Sequence, residues 1–285
     1  DSLTGVVPGA RVLINDLKAA GVHVWGLSNW QKDLFPIALD NFDILRSLDD
    51  RGVSGYVSLR KPNKDIYEFA LQQFGIDASG AVFVDNSSAF RLNPEVPLIV
   101  PEVNPEDVKN HKGIISNPNC STIITVTAVN ALNTIAPIRT MTASTYQAVS
   151  GAGAGGPIEL MNEVEALREG KTYEPKVFSH QIAFNLIPQI GGEQFEGYTS
   201  EEMKMQNEGR KIMHLPELKV SCTCVRVPVV RSHSVSIVVR TKEKISVERA
   251  RELIAAAPGC RLVDDLANKR YPMPLETSDQ DLVFV

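Results

Sequence analysis

Tryptophan is nearly absent, with two residues, Trp25 and Trp30, in a chain of 285, and aromatic residues make up only 6% of it. There is no excess of positive charge: the formal net charge is −5, so a nucleic-acid footprint is not expected. No apolar run reaches the 18 residues or more that a membrane helix needs, and no basic-then-apolar leader opens the sequence. Cysteine is scarce too. Cys120, Cys222, Cys224 and Cys260 are too few in a chain this long to form a disulfide framework, which favours a reducing, cytoplasmic setting. Cys222 and Cys224 form a Cys-x-Cys pair, but no second close pair of Cys or His accompanies it. Buried strand cysteines are expected there, and no metal site. The length is enough for two domains with a substantial core.

The richest stretch is Ile114 to Thr122. An apolar run of strand character stops at the turn Asn117-Pro118-Asn119, presents Cys120, and passes into a helix over Ser121–Leu132. A cysteine in the first turn of a helix lies among unpaired backbone N–H groups, which favour thiolate. Cys120 is therefore the candidate nucleophile.

Upstream, Pro8 opens a helix with Leu13, Ile14, Leu17 and Ala20 on one face and Gly21 at its end. Val22–Asn29 reads as a buried strand, Asn63–Phe74 as an amphipathic helix stopped by Gly75, and Ala81–Val84 as another buried strand ending at Asp85. Strands alternating with helices indicate a parallel α/β sheet. Pro97–Asn104 reads as an edge strand flanked by prolines.

Downstream, Ile138–Val149 is a β-rich run with Gln147 near its end. Gly151-Ala152-Gly153-Ala154-Gly155-Gly156 follows, then a helix over Pro157–Glu169 with Ile158, Met161, Val164 and Leu167 facing inward. Taken literally this is a dinucleotide fingerprint with Glu174 as the ribose acid, but no second strand precedes Glu174 to complete the βαβ unit. Thr199-Ser200-Glu201-Glu202 has the form of a capping box opening a helix that runs to about Met213. In the strand Val220–Val230, alternation puts Cys222, Cys224 and Arg226 on one face, with His233 in the turn beyond or at the next strand's start. Ser246–Ala257 reads as a helix before a loop-rich tail.

Several of these segments carry a resemblance. Asn117-Pro118-Asn119-Cys120-Ser121-Thr122, Thr145-Tyr146-Gln147-Ala148-Val149-Ser150-Gly151-Ala152-Gly153, Glu201-Glu202-Met203-Lys204-Met205, Arg226-Val227-Pro228-Val229 and Ser232-His233-Ser234 resemble, in order, the motifs of aspartate-β-semialdehyde dehydrogenases. The resemblance begins near Asp85-Asn86-Ser87-Ser88-Ala89-Phe90-Arg91 and implies an α/β fold. A parallel Rossmann-like sheet segment (85–120, the remainder of a nucleotide-binding domain) would precede an α+β catalytic and dimerisation domain of the glyceraldehyde-3-phosphate dehydrogenase type (121–285). It implies NADP-dependent reductive dephosphorylation of β-aspartyl phosphate to aspartate semialdehyde, in a homodimer or homotetramer. In that scheme Cys120 forms a thioester, His233 acts as acid/base and Gln147 orients substrate or nicotinamide. Arg226 and Glu201 take the substrate's carboxylate and ammonium, and Arg91 and Lys204 hold phosphate. Asn119 also meets the substrate, while Ser150, Gly151 and Gly153 approach the nicotinamide. The family's N-terminal glycine-rich nucleotide loop has no counterpart in residues 1–30, and a further C-terminal strand and helix would lie beyond Val285.

Residues 1–84 instead resemble the C-terminal half of a haloacid-dehalogenase-like hydrolase. Leu27-Ser28-Asn29, Leu59-Arg60-Lys61-Pro62 and Val82-Phe83-Val84-Asp85 match that family's Ser, Lys and acidic motifs. Its nucleophilic Asp-x-Asp is not in the chain. Two other readings therefore stand beside the dehydrogenase: a phosphatase fragment, and a non-catalytic chimera.

Overall fold

The computed structural model describes residues 9–285. Pro8, expected to open the first helix, lies outside them. The chain divides into two compact units, one ending at Phe83 and one spanning Val84–Val285.

In the first unit, α1 (Ala10–Ala19) leads to β1 (Trp25–Ser28). Then come α2 (Phe35–Asn41), α3 (Asp43–Arg46), β2 (Asp50–Val53), α4 (Ser54–Val57) and α5 (Lys64–Phe74). β1 and β2 pair in parallel, Trp25 opposite Asp50. α5 starts at Asn63 and stops at Gly75, whose φ of 67° is the left-handed cap that glycine adopts without strain. It buries Ile66 and Ala70, four residues apart on one face, and Phe35 and Ala38 of α2 and Val53 of β2 are buried as well. Two expectations fail. Val22–Asn29 yields a four-residue strand that is only half-buried, because β2 is its one paired neighbour among the described residues. On α1, Leu13 and Ala20 point to solvent and only Ile14 and Leu17 are half-buried.

The second unit takes in the end of β3 (Phe83–Asp85), whose last residues pair with β4 (Ile114–Ser116). Val84 is 69% exposed, not buried as expected, since β4 covers only one edge. Pro97–Asn104 forms no strand. Pro97 and Pro101 cannot donate, and the Asn104 side chain takes the place of a ladder. Its Oδ1 accepts from the Val100 N–H at 2.8 Å and its Nδ2 donates to the Leu98 carbonyl at 2.9 Å. Only Leu98 bridges to Ser116.

The core lies under a three-stranded sheet. In chain order α6 (Cys120–Asn133), β5 (Ile138–Gln147), α7 (Gly155–Arg168), β6 (Glu193–Phe195), β7 (Tyr198–Thr199), α8 (Ser200–Ile212), β8 (Lys219–Arg226) and β9 (Ser234–Thr241) follow. β5 is central, parallel to β8 and antiparallel to β9. α6 and α8 pack beneath it, joining Val126, Met141, Met205, Ile212 and Leu218. Each such side chain contributes about 1.5–3 kcal/mol of transfer free energy. Cys222 and Cys224 are buried in this core, sulfurs 3.7 Å apart. Beyond it come α9 (Val247–Ala256), β10 (Cys260–Arg261), α10 (Pro274–Thr277) and β11 (Val283–Phe284), with β10 and β11 paired in parallel.

α7 forms as the sequence suggests but turns the other way. Ile158, Met161 and Leu167 are exposed, and Glu159, Leu160 and Glu163 face in. The cause is backbone satisfaction. Glu159 accepts from the N–H groups of Lys176, Val177 and Phe178 at 2.7–2.9 Å, and Glu163 from those of Ile182 and Ala183. A strandless loop buried there would otherwise leave these donors unpaired. No described helix is long and apolar enough to cross a membrane.

Candidate active site

Cys120 is the first residue of α6, and Asn119 organises the turn before it. Asn119 Oδ1 caps the helix, accepting from the Ser121 and Thr122 N–H groups at 3.0 and 3.2 Å. Its Nδ2 donates to Glu201 Oε1 at 2.9 Å, and its own N–H donates to Glu208 Oε2 at 2.7 Å. Cys120 is exposed at the mouth of a cavity. Desolvation by the surrounding protein, then the Glu201 carboxylate, push its thiol up against the opposing pull of Ser121 and Arg226. The Ser121 amide, although it also caps onto Asn119, still pulls the thiol down, but burial and Glu201 outweigh it, against the lowering that a helix start suggests.

α8 brings up the polar floor. Its capping box is present, with Thr199 and Glu202 exchanging hydrogen bonds. Glu201 and Lys204, three residues apart, share one face, and Lys204 Nζ donates to Glu201 Oε2 at 2.8 Å. Gln147, at the end of β5, donates to Glu201 Oε1 at 3.1 Å while Thr145 donates to its carbonyl at 3.0 Å, so the amide is fixed at both ends. Burial alone would raise Glu201, but Lys204, Asn119 and Gln147 together hold it below the usual carboxylate range. Glu201 is thus a buried anion, able to meet a cation. Arg91 also reaches this floor. Three of its N–H groups are already engaged: Nε with the Asn117 carbonyl (3.0 Å), Nη1 with Glu208 (3.1 Å) and Nη2 with the Asn86 carbonyl (2.9 Å).

The opposite wall is Arg226, at the end of β8, with His233 in the turn before β9. Both hold on to Ala148. Arg226 Nη1 donates to the Ala148 carbonyl at 2.7 Å, and the Ala148 N–H donates to His233 Nδ1 at 2.9 Å. Since Nδ1 accepts, the proton of the neutral ring is assigned to Nε2. Burial, then the neighbouring Arg226 charge, push His233 down to about 4, so near pH 7 the ring is a neutral Nε2–H donor and not the near-neutral titrating group expected from its type. Gly151 makes the close approach possible: a Cβ there would come within 2.8 Å of Arg226 Nη1 and 3.1 Å of His233. The Phe178 ring lies under the Arg226 guanidinium, 5.9 Å from its carbon. Glu159, by holding the Phe178 N–H at 2.9 Å, fixes the backbone that carries that ring.

A cavity of about 410 Å³ gathers Arg91, Asn119, Cys120, Gln147, Gly151, Glu201, Lys204 and Arg226. A second cavity, about 790 Å³, opens beside Cys120 and His233 and is lined by Ser150, Thr125 and apolar residues of α6 and β9. Gly153 lines neither, its φ of 82° serving the turn into α7. Sequence reasoning missed Glu208, Lys211 and Ala148. The first two were findable, since Glu201, Lys204, Glu208 and Lys211 follow the spacing of a single helix face. Ala148 acts only through its backbone and leaves no sequence signal.

The family model described as semialdehyde dehydrogenase, dimerisation domain, matches residues 129–285, and the one described as semialdehyde dehydrogenase, NAD binding domain, matches residues 66–111, starting upstream of Asp85. The aspartate-semialdehyde dehydrogenase of Aquifex aeolicus is 53% identical over 210 residues, covering 72% of this chain and 62% of the relative. Aspartate semialdehyde dehydrogenase II of Vibrio cholerae superposes with a TM-score of 0.73 at 30% identity, over 89% of this chain and 83% of that one. The same enzyme complexed with ASA gives 0.68 at 39%, over 73% and 62%. The chain thus spans about 62% of the length of the curated relatives that match it first.

Proposed function

The chain belongs to the aspartate-semialdehyde dehydrogenase family, and from that premise we propose that its second unit performs reductive dephosphorylation of β-aspartyl phosphate to aspartate semialdehyde, reversibly, through a thioester on Cys120. The observation that carries this is the 410 Å³ cavity, in which a thiol, a buried carboxylate and three cations converge. Arg226, a planar fork over Phe178, takes the α-carboxylate, and Glu201 takes the ammonium. Arg91 and Lys204 hold the phosphoryl group, while Asn119 and Gln147 keep Glu201 aimed.

The Cys120 sulfur attacks the acyl carbon, the bond to the phosphate oxygen breaks, and the thiol proton leaves on the phosphate. A nicotinamide cofactor, when bound, supplies the hydride that reduces the thioester. His233 offers its Nε2–H to the oxygen on which negative charge then develops. Collapse to the aldehyde expels the Cys120 thiolate, which takes a proton from water to return the thiol. The 790 Å³ cavity beside the sulfur fits the nicotinamide end: Ser150 and Thr125 are among the residues that line it. The turn after β1, Asn29-Trp30-Gln31, carries no glycine-rich phosphate cradle for the adenosine end. NADP, not NAD, is our reading of the cofactor.

The dimerisation domain makes a homodimer or homotetramer, its copies covering the exposed Met161, Phe184 and Val238. Four free thiols favour a cytoplasmic setting. Residues 1–84 are read as the hydrolase-like segment, where Asn29 clamps the Lys61 backbone at 2.8 and 3.0 Å. Residues 85–120 then complete the nucleotide domain, and 121–285 form the catalytic one. The test is phosphate-dependent reduction of NADP by aspartate semialdehyde, with mass detection of an acyl adduct on Cys120. Both are expected, and Cys120→Ser should abolish them. A thiohemiacetal on Cys120 with neither acyl adduct nor NADP reduction would remove the cofactor assignment, and absence of any adduct or reduction would overturn the function.

A further inference from the structure

Glu208 is used by none of the chemistry above, yet it is 2% exposed at the centre of the site's support. It lies seven residues after Glu201, two turns along α8. Its two oxygens serve two different parts of the site: Oε1 accepts from Arg91 Nη1 at 3.1 Å, and Oε2 accepts from the Asn119 N–H at 2.7 Å. Asn119 in turn caps the helix that begins at Cys120. Arg91 holds the turn from its other side through the Asn117 carbonyl, at 3.0 Å. One helical turn further along α8, Lys211 Nζ donates to the carbonyls of Arg91, Asn93 and Val96 at 2.9, 2.7 and 2.6 Å, pinning the loop that carries Arg91.

We propose that Glu208 is a positioning residue that couples anion occupancy at Arg91 to the reactivity of Cys120. The inference rests on the reading of Arg91 as a phosphate-holding group. Three of the five guanidinium N–H groups are spent on protein acceptors, so the remaining two are what Arg91 can offer a ligand. A phosphate bound there competes with Glu208 for the same positive charge. Glu208 then bears more heavily on the Asn119 N–H, its other partner. That amide precedes the nucleophile, so a shift in it is a shift in the first turn of α6. The coupling needs a charged carboxylate with both oxygens in place. Glutamine supplies one acceptor and turns an NH₂ toward the other donor, whereas aspartate keeps the charge and shortens the reach.

The experiment is the pH profile of Cys120 alkylation by iodoacetamide in the full chain, with and without inorganic phosphate, for wild type, Glu208→Gln and Glu208→Asp. Phosphate binding is measured in parallel by calorimetry. In wild type, phosphate should shift the apparent thiol pKa and change the rate at fixed pH by ~5-fold or more, the lower end of ordinary coupling. In Glu208→Gln that response should vanish, and Glu208→Asp should restore part of it. A folded Glu208→Gln with the wild-type profile and phosphate response overturns the proposal, as it would leave Glu208 a merely structural anion. Should Glu208→Gln fail to fold, an unchanged phosphate response in Glu208→Asp overturns it equally. If wild type binds phosphate without any change in alkylation, the coupling is wrong but Arg91 keeps its role. If it binds none, the Arg91 reading falls as well.

Discussion

The two units handle polar groups differently. Among the described residues up to Phe83, every buried side chain is apolar, from Phe35 to Ala81. In Val84–Val285, Arg91, Glu159, Glu163, Glu201, Glu208 and Arg226 are all buried, and each has hydrogen-bond partners there. A small apolar core needs only approximate volume and patterning, whereas buried charges are tolerated only when their partners stand in fixed places. A chemical site requires that fixity, so the second unit is where geometry should be intolerant of small changes. The first should be forgiving.

The largest effect expected from this contrast is at Gly151. Gly151→Ala drives a methyl against Arg226 and His233 and should lower kcat/KM by about 10²-fold, because displacements near 1 Å at a reacting centre have that cost. Gly80→Ala in the first unit meets nothing within 4 Å and should leave turnover unchanged. Steady-state kinetics on both variants decides it, and equal effects would erase the contrast.

A smaller effect is expected in stability. Glu159→Ala strips three backbone N–H groups of their acceptor and should cost about 2–4 kcal/mol in denaturant unfolding. Asp77 caps Ser79 in an exposed turn of the first unit, and its replacement by Ala should barely move the melting curve.

The finest test is whether the units unfold together. Trp25 stacks on Phe74 with centroids 5.4 Å apart and Trp30 meets Phe35 edge-on at 5.8 Å, so tryptophan emission reports on the first unit alone. Labelling of buried Cys222 and Cys224 reports on the second. The tryptophan signal should be lost at the lower denaturant concentration. Coincident loss would make the chain one cooperative body.

Where local chemistry decides the structure, the sequence was readable. The Asn63 and Gly75 ends of α5, the Thr199–Glu202 capping box and the alternation of Cys222, Cys224 and Arg226 depend on near neighbours, and each is found as expected. Where a distant partner decides, it was not. Apolar periodicity pointed α7's Ile158, Met161 and Leu167 inward, but unpaired amides at Lys176–Ala183 claimed that face for two glutamates. Pro97–Asn104 has strand composition, yet Asn104 replaces the ladder with its own side chain. The place of Cys120 at the start of α6 was readable from its turn, whereas the upward push on its thiol follows from burial and from Glu201, 81 positions away in sequence. The convergence of site residues came from family motifs, and the Ala148 contacts with Arg226 and His233 came only from the fold.

The two faces of α7 carry a consequence for dilution. Its outward side presents Met161, an apolar side chain left 59% exposed. Its inward side carries Glu159, whose three hydrogen bonds fix the loop that lays Phe178 under the Arg226 guanidinium. Were a second copy to cover the outward side, the helix would be braced from both directions and the ring beneath Arg226 held still. At concentrations too low for copies to stay together, that brace would be lost at one end. Specific activity would then become a function of how much protein is in the tube.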